Sequence, residues 1–285
     1  MPWPTPRRRP GNSLARPDTK ARPDPLLLLP GGHVSAWTFA RTRMHTLSVL
    51  IPAYNEEELL PRCLGHVQAA LDRVAPLLAR SEIVVCDNNS TDRTAEIASA
   101  HGCKVVFEPL NQIARARNAA AKAAGGDWLL FVDADSWPPP ELLEEAVATM
   151  KSGRYVGCGS TIRIVDGPLW FKWAWESKNW SMRLLKWCPG GFILCQRSAF
   201  EVLGGFPVDY YIFEEAEFVR RLKRAGKLRN LGFTVLHKHP FSASGRKGAK
   251  YGLWSWIGTA FRFWLAPTRR SQDRAFAAKW YDDRK

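Results

Sequence analysis

Asp133 and Asp135 stand one residue apart at the end of the apolar run Leu129-Leu130-Phe131-Val132. Two carboxylates this close repel each other unless something positive lies between them. A divalent cation with hard oxygen ligands is one such partner, and Mg²⁺ or Mn²⁺ usually brings substrate phosphates along. An acidic turn capping the next helix is the plainer reading of the same residues. Two more acidic groups stand out. Asp87-Asn88-Asn89-Ser90-Thr91-Asp92 follows the apolar Ile83-Val84-Val85-Cys86, and Glu214-Glu215-Ala216-Glu217 opens a helical pattern near Phe213.

These acids need elements that bring them to one place. Residues 47–52 read as a first strand, 83–86 as a second, 104–107 as a third and 129–132 as a central one. Helical spacing fills 58–78, 93–100, 111–124 and 141–150 between and after them. Gly125-Gly126 closes the third helix, and Pro138-Pro139-Pro140 stops the central strand because proline cannot join the ladder. Strand–helix alternation of this length predicts a parallel sheet with right-handed crossovers. Ligands of such sheets sit beyond the carboxyl ends of the strands, where the acids fall. After Gly153 the pattern changes: one or two strands over 155–165, a strand over 190–195, helices over 198–203 and 213–225, and a strand over 234–237.

Composition narrows the field. The 285 residues are 46% apolar, enough for one large α/β domain with a C-terminal extension. The net charge is +14, of which residues 1–45 supply +6. The remainder is still basic, which suits phosphate-bearing ligands or an anionic membrane surface. No nucleic-acid motif appears, so nucleic acid is not an expected partner. The six cysteines have no CxxC spacing and read as free thiols in a reducing compartment. No apolar run is long enough to span a bilayer. Residues 1–43 are rich in Pro, Arg and Gly, without periodicity, and read as a disordered tail or an upstream extension of the reading frame.

Pro52-Ala53-Tyr54-Asn55-Glu56, Asp87 to Asp92, and Asp133-Ala134-Asp135 occur in order after strands one, two and the central one. This ordered set resembles glycosyltransferase family 2 over about residues 46–240. The resemblance implies a GT-A fold, α/β with a mixed, mainly parallel central sheet flanked by helices. Residues 46–150 would bind a nucleotide-diphosphate sugar and 151–240 would face the acceptor, with 241–285 as a Trp-rich, basic extension. Pro52, Tyr54 and Glu56 would line the base and ribose. Asp87 would accept a hydrogen bond from a ring N–H, favouring uracil or guanine; helix capping is its other reading, and the main one for Asp92. Arg117, in Arg115-Ala116-Arg117-Asn118, would reach the diphosphate, and Asn118 would pack behind the metal loop. The glycine-rich run usual before that segment is replaced by Asn111-Gln112-Ile113-Ala114.

Asp133 and Asp135 match the family's DxD site for Mn²⁺ or Mg²⁺, with Asp133 also near the ribose and His237 or His239 as a further ligand. Gly190 and Gly191 match a small-residue turn that admits the acceptor, and Trp187 lies beside it. Glu214-Glu215 falls at the family's Glu-Asp pair. Glu215 is the expected base and Glu214 its rival, since glutamate replaces aspartate at the second position. The implied reaction is inverting transfer, most simply from a UDP-sugar, to a glycan or lipid-linked acceptor in cell-envelope synthesis. Trp-rich residues 168–187 and 251–265 suit sugar stacking, a peripheral contact with an anionic membrane, or core packing. A cytoplasmic location, at the inner membrane face, follows. A sugar-phosphate nucleotidyltransferase would need a glycine-rich basic loop after strand one, where Ala53-Tyr54-Asn55-Glu56-Glu57 stands. An inactive membrane scaffold would be expected to lose the acids at 133, 135 or 215, and all are present.

Overall fold

A computed structural model describes residues 44–246. The tail expected over 1–43 and the amphipathic stretch expected over 251–265 lie outside the described residues. Three parallel strands come first: β1 (Thr46–Ala53), β2 (Arg80–Asp87) and β3 (Lys104–Phe107). Between them run α1 (Leu60–Val74) and α2 (Thr94–Ala100), and α3 (Ile113–Ala123) leads on to β4 (Trp128–Val132). All five residues of β4 are buried, as expected for a strand covered on both faces. β4 pairs in parallel with β1, so the carboxyl ends of β1, β2 and β4 share one edge.

Past β4 come a two-residue strand β5 (Ser136–Trp137), then α4 (Pro140–Lys151), β6 (Tyr155–Ile164) and α5 (Leu169–Leu185). The second half ends with β7 (Phe192–Gln196), α6 (Arg197–Val202), α7 (Glu214–Lys227) and β8 (Gly232–Ala243). The eight strands are ordered β3-β2-β1-β4-β7-β6-β8-β5. β7 runs antiparallel to β4 and β6, while β6 and β8 are parallel. Because β7 points the other way, its beginning, not its end, reaches the edge where the acids lie. This is how Gly190 and Gly191 arrive there.

The sequence predicted β1 to β4 and α1 to α4 to within a few residues, but not the two-residue β5 between β4 and α4. The later half differs more. Residues 155–164 form one strand, and the Trp-rich residues form the helix α5. β8 begins earlier than expected and runs to Ala243, beyond residue 240. An aromatic core holds the halves together. Phe206 stacks on Phe218 at 4.2 Å and meets Phe131 of β4 edge-on at 4.9 Å. Such pairs contribute roughly 0.5–1.5 kcal/mol each beyond burial. They fix α7, with its acids, over the end of β4.

Candidate active site

A cleft of about 270 Å³ opens at the shared strand edge. Pro52, Tyr54 and Glu56 from the end of β1, Asp133 and Asp135 from β4, and Glu214 and Glu215 from α7 all line it. The acids that the sequence spreads from Glu56 to Glu215 therefore meet in one place.

The loops that carry them are tied to one another. Asn55 takes a left-handed backbone, φ 50°, which asparagine tolerates better than most residues. Its side-chain Oδ1 accepts the Thr91 N–H at 2.8 Å, and its own N–H donates to Ser90 Oγ at 3.0 Å. Asp92 accepts the Thr94 N–H at 2.9 Å at the start of α2, but it stands one residue before the N-cap, which is Arg93 and carries no side-chain cap. Asp87 accepts the Ser90 N–H at 3.0 Å and is buried. It stands beside Asn88, which lines the cleft, but is not itself among the lining residues.

Arg117 is the centre of the charge arrangement. Its side chain is 1% exposed. Nη1 donates to Glu214 Oε1 at 2.6 Å and Nη2 to Asp133 Oδ1 at 2.8 Å. Its guanidinium also lies 5.1 Å above the Phe206 ring. Burial alone would lower its pKa, but Asp133, Glu214 and Glu215 more than offset this and hold it charged. Arg117 lines the cleft as expected, yet two of its donors are committed to carboxylates. It joins β4 to α7.

Three carboxylates thus surround one buried cation. Burial pushes the Glu214 carboxyl up to about 8; the neighbouring Glu215 charge adds to this and Arg117 opposes it. Glu215 is also raised, by burial first, again against Arg117. A proton shared by the pair is the natural consequence. Glu214 is buried and held by Arg117, whereas Glu215 is half-buried and faces the cleft. Phe213, immediately before them, has φ 63°, an unfavourable backbone for a bulky residue. Acids in the first turn of α7 also gain from the helix dipole.

Gly190 and Gly191 are dictated by packing. A Cβ on Gly190 would collide with the Arg117 guanidinium. One on Gly191 would lie 2.7 Å from the Phe241 ring and 2.9 Å from Ser136 Oγ. Both still line the cleft.

Other expectations need correction. His237 is exposed and is not among the cleft residues; its Nδ1 lies 3.4 Å from Val235 O. The cause is an irregularity in β8. Leu236 pairs with Ser160 and Phe241 with Ile162, so 237–240 bulge outward opposite Thr161 alone. His239 pairs with Glu145 at 2.7 Å instead. Trp187 is half-buried, donates to Ser181 Oγ at 3.4 Å, and does not line the cleft. Trp175 and Lys178 of α5 line it in its place. Asn118 pairs both ways with the Phe206 backbone, at 2.8 and 2.9 Å, so it fixes the loop before α7. Gln112, in the segment that replaces the glycine-rich run, holds the same loop through Val208 O at 2.7 Å.

Arg246 was not anticipated. Its Nη2 donates to both oxygens of buried Glu56, at 2.9 and 3.0 Å, and lies 3.9 Å from Asp135. Glu56 lines the cleft, but its carboxylate is engaged by this arginine. The signal was a basic residue after Ser244-Gly245, directly past the end of β8.

Among the described residues, no group of three or more His, Cys, Asp or Glu gathers where a metal could bind. Asp133 and Asp135 remain a hard-oxygen pair at the cleft. That donor set fits a cation held by one or two carboxylates and completed by substrate phosphates.

Residues 48–215 match the family model described as Glycosyl transferase family 2. Over 137 residues the chain is 32% identical to dolichol-phosphate mannosyltransferase of Pyrococcus furiosus, covering 46% of this chain and 37% of that protein. Across several curated relatives, the chain spans between 25% and 59% of their length. The fold is similar to that of S. aureus TarS 1-349 in complex with UDP-GlcNAc, with TM-score 0.56 and 22% identity. That likeness covers 70% of this chain and 58% of the other. Mannosyltransferase PcManGT from Pyrobaculum calidifontis, in complex with GDP-Man and Mn²⁺, gives TM-score 0.54 at 20% identity, covering 81% and 64%.

Proposed function

The chain belongs to glycosyl transferase family 2 and has the GT-A fold, and on that premise we propose that it is an inverting glycosyltransferase. The donor is a nucleotide-diphosphate sugar, most simply a UDP-sugar. The acceptor is a hydroxyl of a glycan or lipid-linked glycan. The observation that carries this reading is the gathering of Asp133, Asp135, Glu214 and Glu215 around one cleft at the strand edge.

Within this reading, Pro52 and Tyr54 bound the nucleoside, with Asp87 behind them setting the loop that meets the base. Asp133 and Asp135 hold a divalent cation, Mg²⁺ or Mn²⁺. When bound, it offsets charge on the departing diphosphate. Glu215 takes the proton from the acceptor hydroxyl as that oxygen attacks the anomeric carbon. The bond to the diphosphate breaks on the opposite face, and the nucleoside diphosphate leaves with the electron pair. A base with a raised pKa is better matched to a hydroxyl than an ordinary carboxylate. Arg117 and Glu214 keep that base in place, and the bound geometry supplies much of the rate. Trp175 offers an aromatic wall for the acceptor, and Lys178, beside it at 4.6 Å, suits an anionic group there.

A screen for slow hydrolysis of nucleotide sugars with Mn²⁺ tests the reading directly. Mn²⁺-dependent thermal stabilisation by UDP, compared with GDP, CDP and ATP, identifies the base. No hydrolysis and no stabilisation by any nucleoside diphosphate would sink the proposal.

A further inference from the structure

Helix α5 presents two opposed faces. Phe171 and Met182 are its buried residues, and Asn179 ties it to Ile162, donating at 2.8 Å and accepting at 3.0 Å. Phe171, Trp175 and Lys178 line the cleft. At 3.6 residues per turn, these positions share the inner side. The outer side carries Leu169, Trp173, Trp180 and Leu184, at steps of four, seven and four. They are 73%, 74%, 68% and 64% exposed. Scattered apolar residues on a surface are ordinary, but an aligned stripe with two indoles marks an interaction site.

The charges beside the stripe favour one occupant. Outside the cleft-lining Lys178, α5 carries Lys172 and Arg183 against Glu176 alone, Lys186 follows, and the whole chain is +14. On the helical projection, Lys172 and Arg183 lie along one edge of the stripe, where Glu176 offsets part of their charge. Indoles settle at the headgroup level of a bilayer, and lysine and arginine are drawn to anionic lipids there. No described helix is long and apolar enough to cross a membrane, so α5 would lie in the interface plane.

We propose that the outer face of α5 docks on an anionic lipid bilayer and sets the mouth of the cleft at headgroup level. This deepens the reading of a lipid-linked acceptor and rests on it for its purpose, though not for its physics. One helix then reads both surroundings. Its Trp173 and Trp180 enter the headgroup layer while Trp175 and Lys178 meet the acceptor head as it leaves that layer.

The test is co-flotation of the full chain with vesicles of phosphatidylglycerol and phosphatidylcholine, against phosphatidylcholine alone. Binding to the anionic vesicles is expected, weakened by salt. Trp173→Ser/Trp180→Ser should lower the partition coefficient by about ten-fold or more, while hydrolysis of a soluble nucleotide sugar is unchanged. An unchanged partition coefficient would overturn the proposal. So would lipid-free self-association that this double variant abolishes, because the stripe would then belong to a second copy. Should the double variant fold poorly, a solvent-sensitive dye on Ser177→Cys, in a Cys103→Ser background, gives an independent reading. A blue shift on anionic vesicles supports docking, and no shift refutes it. Neither lipid readout needs a sugar donor. Intact vesicle binding without any transfer would count against the family-based reading alone.

Discussion

Arg117 Nη1 lies 2.6 Å from Glu214 Oε1, and both side chains are almost wholly buried. A contact of this kind contributes little against an apolar pair of equal volume, but breaking it strands a charge. The same guanidinium holds Asp133 at 2.8 Å. The cation therefore joins the acid of β4 to the acids of α7.

Arg117→Ala should destabilise the protein by about 1–3 kcal/mol, because the buried Glu214 carboxyl and Asp133 lose their shared donor together. Urea denaturation measures this. A loss under about 1 kcal/mol would mean that the pair is solvated, and the ion-pair account would be wrong.

Stability should fall as pH rises from about 5 towards 8. The Glu214 carboxyl is pushed from 4.5 up to about 8 in the folded chain. Between these values the unfolded chain has released a proton that the folded chain retains, so raising pH favours unfolding. Glu214→Gln should flatten this dependence, while its amide oxygen still accepts from Arg117. Melting temperatures across pH 5–8 decide it, and an equal slope in the variant would remove Glu214 as the source.

Glu215→Gln should reduce transfer by at least about 100-fold, the usual range for a lost general base. Glu214→Gln should retain more activity, since its role is to position. In the unaltered enzyme, the acid limb of kcat/KM should lie above the ordinary carboxylate range, following the raised Glu215. Equal losses in the two variants would merge their roles.

Asp135→Ala should abolish the Mn²⁺-dependent part of UDP binding while the fold survives. Arg246→Ala should act in the opposite direction on the metal alone. It removes a cation 3.9 Å from Asp135 and frees Glu56. Calorimetry should show Mn²⁺ binding several-fold more tightly, since an opposing charge at that range is worth about 1 kcal/mol or more. Weaker Mn²⁺ binding in Arg246→Ala would show that the arginine assists the site.

Gly190→Ala should disturb the site through Arg117. The added methyl group would collide with the guanidinium, so both ion pairs must shift. Loss of stability and transfer together is expected, at about 1–3 kcal/mol for overpacking. A variant of full stability would show that the arginine yields easily.

The sequence by itself determined the first half of the fold and the acids at its edge. Short apolar runs ending in Asp87 and Asp133 have few alternatives once helices alternate with them, because buried parallel strands need that composition. It also made the short-range contact of Asp92 with the first residue of α2 legible, since the partner lies two residues away. The tertiary structure decided what each acid faces. Arg117 meets Glu214 across 97 positions, and Arg246 meets Glu56 across 190. No local pattern encodes contacts at such separations; they follow from which strand ends share an edge. The bulge in β8 decided against His237 for the same reason, since register depends on the neighbouring strand as well as on the histidine's own segment. The two faces of α5 became distinct only once the sheet covered one of them.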